Sequence, residues 1–113
     1  MGNRKRVWVY CSIDAPEDTH GALKGQLRQL MDYAEQMEFE VAGSSSDIGK
    51  RSLWESSGFR QFEEAMQKGE IDILLIMNLH CLTQSSMQLA QFQALVKGYG
   101  IKVYSPLIGL MDF

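Results

Sequence analysis

Short apolar runs alternate along the chain with stretches whose apolar residues recur every three or four positions. Residues 7–11 are β-forming and almost uniformly apolar, which predicts a strand covered on both faces, as in a parallel sheet. A polar loop over 12–21 follows. From Gly21 the positions Leu23, Leu27, Leu30, Met31, Ala34 and Met37 keep helical spacing, so residues 22–37 are expected as an amphipathic helix. Phe39, Val41 and Ala42 predict a short second strand. The segment "GSSSDIGKRSLWESSG", 43–58, has no periodicity and reads as the longest loop in the chain.

In "FRQFEEAMQK", 59–68, Phe59, Phe62 and Met66 share one helical face, and Gly69 fits the position just past a helix end. "IDILLIM", 71–77, is the most hydrophobic run and the expected central strand. After the connection "LHCLTQSS", the residues Met87, Leu89, Ala90, Phe92, Leu95 and Val96 mark a third helix, closed by Gly98 and Gly100. "IKVYSPLI" predicts a last strand broken by Pro106. The order β-α-β-α-β-α-β with short links predicts an α/β, three-layer sandwich on a mostly parallel central sheet, a single domain over 1–113. Ligands of such folds gather at the carboxyl ends of the strands, here in loops 12–21, 43–58 and 78–85.

Composition narrows the function classes. Hydrophobic residues make up 45% of the chain and charged residues 22%, ordinary globular values, with no run long enough to span a bilayer. With no segment resembling a signal peptide, a cytoplasmic protein is expected. Cys11 and Cys81 make no disulfide framework, and no Cys/His spacing resembles a zinc site, so neither a metal nor another cofactor is expected. The net charge of -3 argues against a domain that holds DNA by itself, since such affinity comes from neutralising phosphates. Arg4-Lys5-Arg6 is the one dense basic cluster and reads as a solvated, edge-protecting terminus.

The polar loop after the first strand holds Cys11, Ser12 and Asp14, a common way to present a catalytic group. Each has a plainer reading. Cys11 is expected as a buried strand residue, and Ser12 as a loop cap with no evident base beside it. Asp14, before Ala15-Pro16, is suited to a turn, and its charge would repel a phosphate. His20 and His80 could meet at the sheet edge, but two histidines without further ligands are a weak metal signal. Trp54, an aromatic in a polar loop, is expected to cover a pocket or to anchor a partner.

Four segments together carry a family pattern. "VWVYCSID" falls where the pattern has Tyr-x-Arg-Val-Ser, and "ALKGQLRQLMDYAEQMEFEV" matches a helix running into a short strand. "SSDIGKRSLWESSGFRQFEEAMQKGEIDILLI" matches an Asp-containing mobile loop, an Arg-Pro-Gly-Phe-like helix start and a Gly-x-Ile-Asp entry into the third strand. "NLHCLTQ" stands where the pattern has Leu-Asp-Arg-Leu-x-Arg. Nearly end to end, the chain resembles the catalytic domain of the serine site-specific recombinases, the resolvase and invertase family of DNA strand-exchange enzymes.

That resemblance implies a serine attacking a DNA phosphate while several arginines stabilise charge on the phosphoryl oxygens. Residue by residue, the nucleophile position is Asp14 and the arginine two places before it is Ser12. With Gly58-Phe59 aligned to the family's Gly-Phe, the mobile-loop arginine is Ser56. The Asp-Arg pair becomes His80-Cys81, and the second arginine becomes Gln84. Tyr10, Gln26, Asp47, Gly58, Phe59, Gly69 and Asp72 are retained.

The expected function is therefore a resolvase-like domain without strand-exchange activity. The alternatives are an active or auxiliary recombinase domain of a longer protein, or a flavodoxin-like or receiver-like domain. Resemblance implies DNA as a partner, weakly held by this chain, and a homo-dimer or association with another recombinase. Family members continue into an oligomerisation helix and a DNA-binding domain, and none follows within the 113 residues.

Overall fold

The alternation inside the first strand decides how the layers divide. In the computed structural model, which describes residues 4–13, 21–49 and 52–111, strand β1 is Arg6–Ile13. Its Val7, Val9 and Cys11 point to one face and Tyr10 to the other, each set buried in a separate core. On the first face, helix α1 (Ala22–Gln36) lays Leu30 and Ala34 against Val7, Val9, Cys11 and the Ile73 and Leu75 of strand β3 (Ile73–Leu75). On the second, helix α2 (Ser57–Gln67) contributes Phe59, Phe62, Ala65 and Met66, and helix α3 (Ser86–Gly98) Phe92 and Val96. This is the three-layer α/β sandwich.

The sheet runs β2-β1-β3-β4-β5, where β2 is Glu40–Ile48, β4 is Lys102–Ser105 and β5 is Gly109–Met111. The first four strands are parallel and β5 is antiparallel to β4. At the amino edge, Asp72 accepts from the Arg6 backbone N–H at 2.9 Å and from its guanidinium at 3.2 Å, tying the start of β1 to that of β3. The guanidinium holds the Asp72 carboxyl below the usual carboxylate range.

Several boundaries differ from the sequence expectation. Residues 43–48 are not loop but the body of β2, paired with β1 from Trp8↔Gly43 to Ile13↔Ile48. Their Ser- and Gly-rich composition hides a strand held by its ladder and by hydrogen bonds of its side chains rather than by apolar burial. A register shift between Val7 and Trp8 places Gly43 under the Trp8 ring, where a Cβ would lie 2.4 Å from a ring carbon. β1 extends through Ile13, so Ser12 is a strand residue and not a loop cap. The central strand is shorter than 71–77. The last one ends at Ser105, whose hydroxyl donates to Met77 O at 2.6 Å and accepts from Leu107 N, turning the chain into β5.

Each of the three helices ends in the same left-handed turn. The residue after the C-cap donates to a carbonyl three back and the next residue to one five back, through Glu38/Phe39, Gly69/Glu70 and Gly100/Ile101. Gly69 and Gly100 have φ of 70°, where a missing Cβ removes the clash. Glu38 takes φ 60° with a side chain, and Arg4 braces that turn by donating to the Glu38 and Phe39 carbonyls. Glu38→Gly should therefore raise unfolding free energy by about 0.5–1 kcal/mol. Urea denaturation checks it, and unchanged or lower stability would mean that the Glu38 side chain offsets the backbone strain.

Candidate functional site

The carboxyl ends of β1 and β2 and the start of α2 meet in one polar cluster. Its centre is the Asp47 carboxylate. Oδ2 accepts from the Tyr10 hydroxyl at 2.6 Å and from Phe59 N at 3.0 Å, and Oδ1 from Gly58 N at 2.9 Å. Gly58 and Phe59 are the second and third residues of α2, so a side chain from a neighbouring strand satisfies the helix's unpaired amides. The negative charge also sits at the positive end of the helix dipole. Ser56 occupies the N-cap position but turns its hydroxyl back to Ser52 O at 3.1 Å.

Glycine at 58 follows from that approach. A Cβ there would stand 2.5 Å from the Ser46 carbonyl oxygen and 2.7 Å from Asp47 Oδ2. Ser45 extends the arrangement by donating to Gly58 O at 2.6 Å while accepting from Trp8 Nε1 at 2.9 Å. Tyr10 is 1% exposed and stacks edge-on against Phe59 at 6.0 Å. Burial first, and then the hydrogen bond to Asp47, push its phenol far above the ordinary value.

Ser12 lies opposite Asp47 in the β1–β2 ladder. Its backbone N–H donates to Gln26 Oε1 and its carbonyl accepts from Gln26 Nε2, both at 3.0 Å, so the α1 amide acts as one more strand partner. Cys81 Sγ is 4.0 Å from Gln26 Oε1, and its N–H donates to Asn78 Oδ1 at 3.1 Å. Burial pushes the Cys81 thiol up and drives the Cys11 thiol to about 11, which opposes thiolate chemistry at neutral pH. His80 and Gln84 are exposed. Asp14, His20 and Arg51 lie outside the described residues.

Tyr10, Ser12, Gln26, Asp47 and Cys81 thus converge, Ser56 borders them, and His80 and Gln84 stand apart in the solvent. Arg4 and Arg6, whose guanidinium groups are held in side-chain hydrogen bonds, are at the opposite edge of the sheet. Among the described residues no three His, Cys, Asp or Glu side chains group as metal ligands, and no helix is long and apolar enough to cross a membrane. Trp54 is a structural pin: its ring packs edge-on to Phe59 at 5.7 Å and Nε1 donates to Gln91 Oε1 at 3.0 Å.

Sequence reasoning missed the residue that joins the two loops beside this cluster. Gln88 Oε1 accepts from Leu53 N and from Thr83 Oγ1, and Nε2 donates to Ser52 Oγ at 3.1 Å. The signal was present as Ser85-x-x-Gln88, the spacing of a capping box, and Ser85 Oγ does accept from Gln88 N.

The family model described as "Resolvase, N terminal domain" matches residues 11–108. The chain belongs to the resolvase family. Three solved structures show the same fold. The N-terminal catalytic domain of TP901-1 integrase is 20% identical, with a TM-score of 0.76 over 89% of this chain and 76% of that one. The C-terminal catalytic domain of ISC1926 TnpA, an IS607-like serine recombinase, is 20% identical, with a TM-score of 0.79 over 88% and 68%. A resolvase family site-specific recombinase from Streptococcus pneumoniae is 18% identical, with a TM-score of 0.78 over 94% and 74%. No protein of curated function matches the sequence.

In this resolvase-family domain the Tyr10–Asp47–α2 connection is a major local tie. Asp47→Ala should lower stability by about 2–4 kcal/mol, from loss of a cap and an unpaired buried hydroxyl, and Tyr10→Phe by about 1–2 kcal/mol. Urea melts of both variants test this, and equal losses would contradict the central place of the carboxylate.

The Tyr10 phenol supplies a separate readout. Its folded value lies above its unfolded one, so its contribution to stability is complete below about pH 10 and is lost as pH rises beyond that. Of the four tyrosines, one should develop tyrosinate absorbance only together with unfolding. Four tyrosines ionising in the folded protein would refute the assignment.

Proposed function

We propose that this resolvase-family domain keeps the recombinase scaffold without carrying out DNA strand exchange. The observation that carries the reading is the chemistry of the cluster at the carboxyl edge. The positions that the resemblance assigns to arginines are Ser12, Ser56, Cys81 and Gln84, and the nucleophile position is Asp14. Phosphoryl transfer depends on cations placed around the phosphoryl oxygens. Ser12, Gln26 and Cys81 offer neutral groups instead, and the amides at the start of α2 are already taken by Asp47.

Ser12 does not supply a shifted nucleophile on this reading. Its backbone is fixed by Gln26, and the neighbouring Tyr10 phenol holds its proton too tightly to act as a base. The Asp47 carboxylate is committed to three donors. The role that remains is that of a partner domain in recombination. It meets DNA only weakly, in keeping with the net charge of -3, and associates with recombinase-type chains.

A suicide DNA substrate that traps protein–DNA phosphoserine links should yield no covalent adduct with the protein, alone or mixed with an active recombinase. An adduct on this chain that disappears in Ser12→Ala would overturn the proposal.

A further inference from the structure

Two pieces of chain flank the cluster at the carboxyl edge, and each is bonded within itself. In residues 52–56, Glu55 N donates to Ser52 O at 3.0 Å and Ser56 Oγ to the same oxygen at 3.1 Å. In residues 78–85, Cys81 N donates to Asn78 Oδ1 at 3.1 Å, Leu82 N to Leu79 O at 3.0 Å and Ser85 N to Thr83 Oγ1 at 3.0 Å. A segment that satisfies its own polar groups moves as a piece rather than residue by residue. One piece brings Ser56 and the other Cys81 to the border of the cluster.

Gln88 spans the two. Its Oε1 accepts from Leu53 N at 3.3 Å on one side and from Thr83 Oγ1 at 2.9 Å on the other, and its Nε2 donates to Ser52 Oγ at 3.1 Å. Both lone pairs of Oε1 are thereby used. The amide is planar, so it cannot follow one piece outward and keep its bonds to the other. Nor does its base give way. Ser85 Oγ accepts from Gln88 N at 3.3 Å in the first turn of α3, and that helix is fixed in the core by Phe92 and Val96.

We propose that Gln88 couples the two pieces, so that residues 52–56 and 78–85 open and close beside the cluster as one unit. A ligand or partner that displaces either piece then loosens the other, although the two are far apart in sequence. Packing is the rival route for such a displacement, because Leu53 and Leu82 are buried in the same apolar core. The two routes separate on removal of the Gln88 amide, which leaves that core in place.

Each piece holds its own reporter. Trp54 reports on 52–56 through acrylamide quenching, with Trp54→Phe giving the Trp8 background. Cys81 reports on 78–85 through its rate of alkylation by iodoacetamide, located by peptide mass mapping so that Cys11 is counted apart. Gln91→Ala removes the bond that holds Trp54 to α3 and should raise Cys81 alkylation about threefold, within the worth of one hydrogen bond. Asn78→Ala removes the acceptor of Cys81 N and should increase quenching of Trp54 in the other piece. Gln88→Ala should raise both signals, and in that background neither Gln91→Ala nor Asn78→Ala should move the opposite reporter. Far-UV circular dichroism confines the comparison to folded variants. In the unaltered protein, hydrogen exchange of the Leu53 and Cys81 amides should show matching protection, since one opening exposes both. Cross-effects that persist in Gln88→Ala, perturbations that stay within their own piece while Gln88 is present, or unequal protection of the two amides would each overturn the proposal.

Discussion

The carboxylate of Asp47 is where the second layer of the fold is joined to the sheet. A helix that begins beside a sheet has amides with no partner of their own, and burying them unsatisfied is costly. Here one strand side chain takes two of those amides and the Tyr10 hydroxyl together. The consequences spread outward. Gly58 must lack a Cβ, Phe59 is pulled into the core beside Tyr10, and Ser45 closes the gap by bridging Trp8 and the Gly58 carbonyl. On the other side of β1, the Gln26 amide performs the matching task for the backbone of Ser12.

This network explains how the positions shared with the recombinase pattern separate from those that differ. Tyr10, Asp47, Gly58 and Phe59 contact one another, and Gln26 binds β1 two residues beyond Tyr10. Removing any one leaves a buried donor, an acceptor or a cavity in the others. Asp72 belongs to the same category at the opposite edge, where it fixes the relation of β1 to β3. Ser12 is bonded through its backbone, Ser56 and Cys81 make bonds of their own, and Gln84 is exposed. In this structure the first group therefore holds the scaffold together.

How much of this could be read from the sequence depends on which force shapes each segment. The three helices and the central strands were legible because burial writes its period into the apolar residues, as at Leu30/Ala34 and Phe59/Phe62/Met66. β2 was not. It lies at the sheet edge, buries little, and is held by a ladder and by hydrogen bonds from Ser45 and Asp47, so its composition imitates a loop. β5 escaped because the Ser105–Pro106 turn reverses the chain inside what reads as one apolar tail. Individual candidates were visible at the site, but their mutual bonds were not: nothing in the order of residues says that Asp47 caps a helix starting ten residues later. Trp54 shows the converse, since an aromatic in a polar loop suggested a cover and proved to be a brace between α2 and α3.

The cations that bond at the amino edge act on the fold. Arg4, Lys5 and Arg6 stand at the amino end of β1, with Arg4 bracing the end of α1 and Arg6 paired to Asp72. These guanidinium groups are committed to folding, and freeing either would expose a strained turn or a severed strand tie. Arg4 and Arg6 thus consolidate the amino edge of the sheet, away from the cluster. Among the described residues of the cluster the formal charge in the hydrogen-bond network is that of Asp47, and three donors already surround it.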